Sequence, residues 1–214
     1  MKKPTIALFL HHPRGSVQCG NAIMQACQDH YNFKIFTRHE LERDFFDDID
    51  CVAFPGGIGD ADSWDWLLAT NGKRIQDYIA NGGRYLGICM GAYWADPDYF
   101  DILNGVRAVQ YIRRPNTDTR RPHPKAISIT WDGLPDRMYF YDGCALVGDE
   151  TTFTTVSRYA NGDPMAIIQN RVGLIGCHPE SRQFWYDRRY LEPHWHQGRH
   201  HDLLLDFVNR LMRT

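Results

Sequence analysis

The stretch "GGRYLGICMGAYWAD" at residues 82–96 places one cysteine between two glycines, at the end of a short apolar run. The run "RYLGIC" (84–89) predicts a buried strand, and the residues after it are expected to start a helix. A structural thiol needs no glycines around it, whereas a nucleophile at a tight strand-to-helix turn does, because the turn crowds the central residue. Gly87-Ile-Cys89-Met-Gly91 therefore predicts a nucleophile elbow with Cys89 as the nucleophile. The alternative is a buried structural cysteine in a glycine-containing strand end.

The residues before the elbow alternate between short apolar runs and helix-like segments. Strands are predicted at "TIALFL" (5–10), "FKIFTR" (33–38) and "CVAFPGG" (51–57). Helices are predicted over 16–30 and 63–79, the second with Ser63 as N-cap and with an inner face of Trp66, Leu67, Ile75 and Ile79. Strands that alternate with helices indicate a mostly parallel sheet covered on both faces, which is an α/β fold.

The residues after the elbow have a different pattern. Residues 104–125 are rich in arginine and proline and are interpreted as a surface excursion. Short antiparallel strands are predicted in 126–130, 138–147, 151–159 and 165–177, with Asn170 and Arg171 at the turn of the last hairpin. An apolar stripe closes the chain and predicts a helix that packs back on the sheet; it comprises Leu203, Leu204, Phe207, Val208 and Leu211.

Composition excludes several classes of protein. The formal net charge is −2, so no long-range field attracts nucleic acid or an anionic membrane. The arginines at 113, 114, 120 and 121 are interrupted by prolines and polar residues, which favours a solvated loop. No apolar run approaches the roughly 20 residues of a membrane span. Six cysteines without a CxxC pair indicate a reducing compartment, so we expect a cytoplasmic protein that binds neither nucleic acid nor membrane.

Two further unusual segments end predicted strands: "PGG" at 55–57 and "GCHPE" at 176–180. Ligands of such sheets bind where the carboxyl ends of the strands meet, so these segments are expected beside Cys89. His178 can take the proton of the thiol, and Glu180, two residues on in an extended chain, can orient the imidazole. A surface histidine in a loop is the alternative. Cys89, His178 and Glu180 are thus the predicted catalytic residues.

Backbone N–H groups of the same segments are candidates for an oxyanion hole. Gly57 N–H and the N–H of Met90, directly after the nucleophile, are predicted to hold the oxyanion, although Pro-Gly-Gly is also a common turn. Gly56, Tyr93 and Tyr141 are predicted to contact the substrate, and the two tyrosines are equally consistent with ordinary core and rim aromatics.

Four histidines crowd the stretch "EPHWHQGRHH" near the C-terminus, namely His194, His196, His200 and His201. Zinc ligation there is one interpretation, but no cysteine or carboxylate stands at motif spacing, so a solvated or packing role is favoured. We expect no metal and no cofactor.

The segments "FPGG", "GGRYLGICMGAYWA" and "GLIGCHPE" resemble, in this order and spacing, the class I glutamine amidotransferase superfamily. "GGRYLGICMGAYWA" and "YFYDG" (139–143) are most similar to the amino-terminal amidotransferase-like domain of biotin–protein ligases and its stand-alone bacterial relatives. The resemblance covers residues 5 to about 180. It implies a flavodoxin-like, doubly wound sheet, one such domain over residues 1–214, and a Cys89–His178–Glu180 triad.

The sequence also departs from that superfamily. Its members usually carry glutamine four residues after the nucleophile, where it helps to hold substrate glutamine, and here that residue is Tyr93, as in the biotin-ligase branch. The resemblance does not imply biotin ligation by this chain, because the sequence has neither a glycine-arginine-rich biotinyl-adenylate loop nor a P-loop. A related branch of hydrolases and chaperones pairs its cysteine with a glutamate near the end of the first strand, and residues 9–18 contain none.

Two functions follow from these observations. The first is a cysteine-dependent amidotransferase or amidohydrolase that forms a thioester with a small carboxamide or related acyl substrate, with an ammonia-accepting partner protein as a further expectation. The second is a non-catalytic binding or regulatory module of the same fold. The complete set of triad residues favours the first, and the missing glutamine and synthase domain favour the second.

Overall fold

The computed structural model describes residues 2–10, 15–41, 44–57, 64, 68 and 72–214. Among these residues, the α-helices with described bounds are α1 (Gly15–Cys27), α2 (Gly72–Ala80), α3 (Met90–Trp94) and α4 (Arg199–Met212). The strands of the described residues are β1 (Thr5–Phe9), β2 (Asn32–Phe36), β3 (Cys51–Phe54), β4 (Arg84–Ile88), β5 (Val106–Gln110), β6 (Lys125–Trp131), β7 (Leu134–Phe140), β8 (Cys144–Gly148), β9 (Thr154–Tyr159), β10 (Pro164–Gln169) and β11 (Val172–Ile175). Among these elements, no helix has the length and apolar character that a membrane crossing requires.

Nine strands form one sheet in the order β2-β1-β3-β4-β11-β10-β9-β6-β7. The pairs from β2 to β11 are parallel, and those from β11 to β7 are antiparallel. The predicted α/β fold with a parallel half and later antiparallel strands is therefore confirmed. β11 is the junction, because it pairs in parallel with β4 and in antiparallel with β10.

The parallel strands are apolar along most of their length because helices cover both faces of the sheet. On one face, Ile6 and Leu8 of β1 pack with Ile23 of α1 and with Leu204 and Phe207 of α4. On the other face, the core contains Ala7 and Phe9 of β1, Ile75 of α2 and Trp94 of α3. The predicted C-terminal helix and its inward stripe are confirmed, with Leu203 only partly buried.

Part of the second predicted helix lies outside the described residues, including Ser63, Trp66 and Leu67. Within the described part, α2 begins at Gly72 and buries Ile75, while Ile79 is partly buried against the same core. The backbone N–H of Leu68 donates to Trp64 O, and that of Gly72 donates to Leu68 O, as in a helical turn.

The interpretation of residues 104–125 as a surface excursion is wrong for its first third. β5 pairs in antiparallel with β8 as a separate two-stranded sheet, and the ring of Tyr111 is fully buried and stacked on Tyr159. The guanidinium of Arg114 donates to both carboxylate oxygens of Asp163, so this arginine is held by an ion pair rather than solvated. The sequence of β5 does not indicate a strand, because it is interrupted by the charged Arg107. In addition, its partner β8 lies more than thirty residues downstream, so the pairing leaves no local pattern.

The order of the strands places three chain segments at one edge of the sheet. β3, β4 and β11 are neighbours and run in the same direction, so the residues that follow Phe54, Ile88 and Ile175 emerge together. These are the segments that contain Gly56, Cys89 and His178.

Candidate active site

Cys89 lies at the turn between β4 and α3 with φ 51° and ψ −103°. A positive φ is strained for any residue with a Cβ, and such conformations concentrate at functional sites. The turn is held at both ends: Cys89 N–H donates to Ile175 O at 2.8 Å, and its carbonyl accepts from the N–H of Ala92 and Tyr93. The side chain is 7% exposed. This geometry is that of the elbow predicted from the sequence.

Both flanking glycines are required by close approach of the backbone. A Cβ on Gly87 would overlap the carbonyl of Gly91, and a Cβ on Gly91 would overlap the carbonyl of Phe54 at the end of β3. The elbow is thus packed directly on the neighbouring strand, and no side chain fits between them.

His178 and Glu180 form a buried pair beyond the end of β11. Nδ1 of His178 lies 2.8 Å from Oε1 of Glu180, and both side chains are buried. The backbone N–H of His178 donates to Tyr139 O at 2.9 Å, which fixes the loop on β7. Because Glu180 occupies Nδ1, Nε2 is the ring nitrogen left for another group.

The imidazole interacts with the thiols of Cys89 and Cys19. In this structure Sγ of Cys89 also hydrogen-bonds to Tyr141 O at 3.7 Å, so the S–H bond must turn from this carbonyl to the ring before the thiol proton can pass to it. Catalytic hydrogen bonds are often long in the absence of substrate. The structure thus brings Cys89, His178 and Glu180 to one place, as the sequence predicts.

The pKa of His178 is well above its usual value. Burial of the ring lowers it, but the negative charge of Glu180, the electrostatic interaction with Cys89 and the side-chain hydrogen bonds to Cys19 and Cys89 together outweigh burial. These surroundings favour the protonated ring, which is the form His178 reaches when it accepts the proton of the thiol. Since α3 has only five residues, a protonated ring beside Sγ contributes more positive charge there than the helix dipole does.

Gly56 lies beneath the His178 ring rather than at an open surface. A Cβ on Gly56 would lie 2.7 Å from Cε1 of His178 and 3.2 Å from Sγ of Cys19. Gly57 is half-buried at the next position. Met90 is the first residue of α3, so its N–H is one of the helix-terminal donors without a partner inside the helix.

The two tyrosines predicted to contact substrate differ in their placement. The Tyr93 hydroxyl donates to Asp142 O at 3.1 Å, and burial raises the pKa of this phenol. The Tyr141 ring is 48% exposed, and it is the backbone carbonyl of this residue that meets the Cys89 thiol.

Cys19 and Trp185 are not predicted from the sequence to lie at the site, whereas Tyr139 is a candidate for lining a pocket beside Cys89. Cys19 lies in α1 and contacts both the His178 ring and Gly56. The rings of Tyr139 and Trp185 stand nearly perpendicular to the His178 ring, at centroid distances of 5.9 and 5.6 Å. One signal in the sequence could have indicated Cys19. It lies one turn into the helix that follows β1, and the carboxyl end of β1 lies at the same edge of the sheet as Cys89.

The C-terminal histidines pack behind Glu180. Nε2 of His196 and Nε2 of His201 each lie 3.0 Å from Ser181 O, and the rings of His196 and His200 stack at a centroid distance of 4.2 Å. Nδ1 of His196 accepts from the N–H groups of Gly198 and His200, so the ring is neutral with its proton on Nε2. This is the packing role predicted for His196 and His200.

We expect the His196 ring to make the protein less stable in acid. Burial and the charge of His200 lower the pKa of His196 to about 3, so the folded state excludes a proton that the unfolded chain binds below pH 6.5. The stabilisation is complete above that pH and is lost as pH falls toward about 3. From pH 6.5 to 4.5, the free energy of unfolding should fall by about 2 kcal/mol less in His196→Gln than in the wild type. Urea unfolding at several pH values measures the free energy of unfolding of both proteins. The same pH dependence in His196→Gln and in the wild type would contradict this assignment.

Comparisons with known proteins agree with the fold described above. Residues 13–101 match the family model described as the N-terminal domain of biotin–protein ligase. The structure is similar over its full length to that of a glutamine amidotransferase from Thermotoga maritima, with a TM-score of 0.73, 12% identity and 100% of each chain covered. The resemblance predicted from the sequence is confirmed.

Two further structures have the same fold. One is the structure of PurLQS from Thermotoga maritima, with a TM-score of 0.63, 16% identity, and coverage of 98% of this chain and 100% of that one. The other is a provisionally assigned GMP synthase subunit from Thermoplasma acidophilum, with a TM-score of 0.61, 14% identity and 100% of each chain covered. At these identities the likeness establishes the glutamine amidotransferase fold alone. A search of curated protein sequences found no match to this chain.

Proposed function

We propose that this protein is a cysteine-dependent amidotransferase or amidohydrolase with Cys89, His178 and Glu180 as its catalytic residues. The observation that supports this most is that the thiol of Cys89, on a residue with a strained backbone, interacts with the buried imidazole of His178. Nδ1 of this imidazole lies 2.8 Å from Oε1 of Glu180. A nucleophile, a base and a group that orients the base are the parts that an acyl transfer needs.

In the first half-reaction, Sγ of Cys89 attacks the carbonyl carbon of a carboxamide. The thiol proton passes to Nε2 of His178, and the imidazolium returns it to the nitrogen of the departing amine, so that ammonia leaves and an acyl thioester remains on Cys89. Glu180 keeps Nδ1 protonated and stabilises the positive ring while the proton is held there.

The oxyanion of the tetrahedral intermediate is proposed to bind the N–H groups of Gly57 and Met90. Both follow strand ends at the edge where Cys89 lies, and backbone donors placed in advance stabilise negative charge at little cost in reorganisation. Water, positioned by the freed Nε2 of His178, then hydrolyses the thioester and restores the thiol.

The proposed substrate class is a small carboxamide or related acyl compound, and the half-exposed Tyr141 is proposed to contact it. One similar structure is named as part of a synthase. An ammonia-accepting partner protein is therefore part of the proposal. All six cysteines are free and buried, which supports a reducing compartment such as the cytoplasm.

Alkylation with iodoacetamide, followed by peptide mass spectrometry, tests the activation of Cys89. We expect Cys89 to react first among the six thiols at pH 7, and its rate to fall at least about tenfold in His178→Ala, because the group that accepts the thiol proton is gone. Cys27→Ala, which removes a fully buried thiol of α1, is the matched control and should leave the rate unchanged. Alkylation of Cys89 no faster than that of a free thiol would count against the triad.

Glu180→Gln should lower the pKa of His178, because the variant keeps an acceptor for Nδ1–H but removes the negative charge. We expect the turnover number to fall about 10²–10⁴-fold, as for other carboxylates that orient a catalytic histidine. NMR titration of the ring measures the pKa, and the exposed Glu40→Gln serves as control. An unchanged His178 pKa in Glu180→Gln would show that the carboxylate does not act on the ring.

A non-catalytic binding module is the second candidate, and one observation favours it. The Tyr93 hydroxyl is engaged with Asp142 O at the position where amidotransferases carry the substrate-holding glutamine. This candidate predicts rapid alkylation of Cys89 without ammonia release from any carboxamide, with or without partner proteins.

A further inference from the structure

We propose that Cys19, His178 and Glu180 form a binding site for a thiophilic divalent cation such as Zn²⁺, and that occupation of this site prevents catalysis by Cys89. The site differs from the triad in its sulfur ligand, which comes from α1 and not from the elbow. It departs from the expectation that the sequence alone supports, which is a protein without a metal.

The three side chains already place one ligand atom each in a small volume. One sulfur, one imidazole nitrogen and one carboxylate oxygen lie within 4.8 Å of one another. In a tetrahedral zinc site, ligand atoms at usual bond lengths lie roughly 3.5 Å apart, so shifts of about 1 Å would complete the site. All three residues are buried, which limits competition from bulk water.

Glu180 provides an independent observation. Its Oε1 bonds to His178, but its buried Oε2 has no hydrogen-bond partner among the described residues. Buried carboxylate oxygens are almost always satisfied by donors or by cations. A cation between Glu180 and Cys19 would satisfy this oxygen.

The position of Cys19 is also unlike that of a cysteine that only fills space. Cys27 and Cys51 are fully buried among apolar side chains of the core. Cys19 instead faces the His178 ring, and Gly56 leaves room for both, since a Cβ there would lie 3.2 Å from Sγ. Thiolate, imidazole and carboxylate together are a donor set that suits zinc.

Metal binding and catalysis would exclude each other. The cation takes the nitrogen and carboxylate of the His178–Glu180 pair, so the ring can no longer relay the proton of Cys89. On binding, the Cys19 thiol and the ring nitrogen that becomes a ligand release the protons they carry to buffer, and no redox change occurs. Only this inhibitory consequence rests on the proposed function; the binding does not.

Titration of the metal-free protein with chelator-buffered Zn²⁺ tests the site, and Co²⁺ serves as a spectroscopic probe. We expect one ion per chain and a sulfur-to-cobalt charge-transfer band in the wild type, in Cys89→Ala and in the control Cys27→Ala. Cys19→Ser should lose the band and bind Zn²⁺ about 100-fold more weakly, with circular dichroism verifying that it is folded. A band that persists in Cys19→Ser, loss of the band in Cys89→Ala instead, or no binding by the wild type would each overturn the proposal.

The same titration during turnover separates this proposal from the proposed function. Zinc should inhibit ammonia release by the wild type at the concentration at which it binds. The zinc concentration for half-inhibition should be about 100-fold higher in Cys19→Ser than in the wild type, with the activity of each protein expressed as a fraction of its own zinc-free rate. Binding through Cys19 in a protein without amidase activity would leave the metal site standing and remove the proposed function. Amidase activity that zinc does not affect would leave the proposed function standing and overturn the inhibitory metal site.

Discussion

Replacing Cys89 with alanine is expected to abolish ammonia release from a carboxamide substrate, with a loss in turnover number of about 10⁴-fold or more. The reason is that the acyl intermediate is proposed to form on Cys89, and the loss of a covalent nucleophile removes the whole reaction path. A coupled assay of ammonia, run over a panel of carboxamides that begins with L-glutamine, measures the effect.

The control for this result is Cys27→Ala. Cys27 is a fully buried thiol of α1, so its removal tests whether the loss of any buried sulfur lowers activity through stability alone. We expect it to retain activity within about twofold after a stability cost of about 1 kcal/mol. Turnover by Cys89→Ala at the wild-type rate would show that the thiol is not the nucleophile.

Gly91→Ala is expected to destabilise the fold strongly. The added Cβ would overlap the carbonyl of Phe54, which is backbone of a central strand and cannot rotate away. Either α3 or β3 must move, so we expect the free energy of unfolding to fall by about 3 kcal/mol and Cys89 to leave its strained conformation. Urea unfolding, extrapolated to zero denaturant, measures the first effect, and the alkylation rate of Cys89 measures the second.

Gly20→Ala is the matched control for the packing of the elbow. Gly20 is also a buried helical glycine, but a Cβ there would meet only the flexible side chain of Leu8, at 3.1 Å. The gain in helix propensity, up to about 1 kcal/mol, offsets that contact, so we expect little change in stability. Equal stability of the Gly91 variant and the Gly20 variant would contradict the close packing of the elbow on β3.

The parallel half of the sheet could be predicted from sequence because its signals are local. Most of its strands are short apolar runs followed within a few residues by glycine or proline, and the glycines around Cys89 indicate the crowding of the elbow directly. The His178–Glu180 pair could be predicted for the same reason, since an extended chain places alternate residues on one side.

The remaining features depend on contacts between residues distant in the sequence. β5 carries a charged side chain at Arg107 and is defined only by its pairing with β8, so its sequence pattern resembles a loop. The approach of Cys19 to His178 requires that α1 lie beside the end of β11, which no local pattern specifies. The bond from Tyr93 to Asp142 O likewise depends on the turn between β7 and β8.

The most direct test is the mass spectrum of the protein, quenched with acid during turnover of a carboxamide. If the triad of Cys89, His178 and Glu180 acts as proposed, a fraction of the chains will carry the acyl group of the substrate, and peptide mapping will place it on Cys89. The adduct should be absent from Cys89→Ala. Steady release of ammonia without any acyl adduct on Cys89, or an adduct on Cys19 instead, would contradict the account.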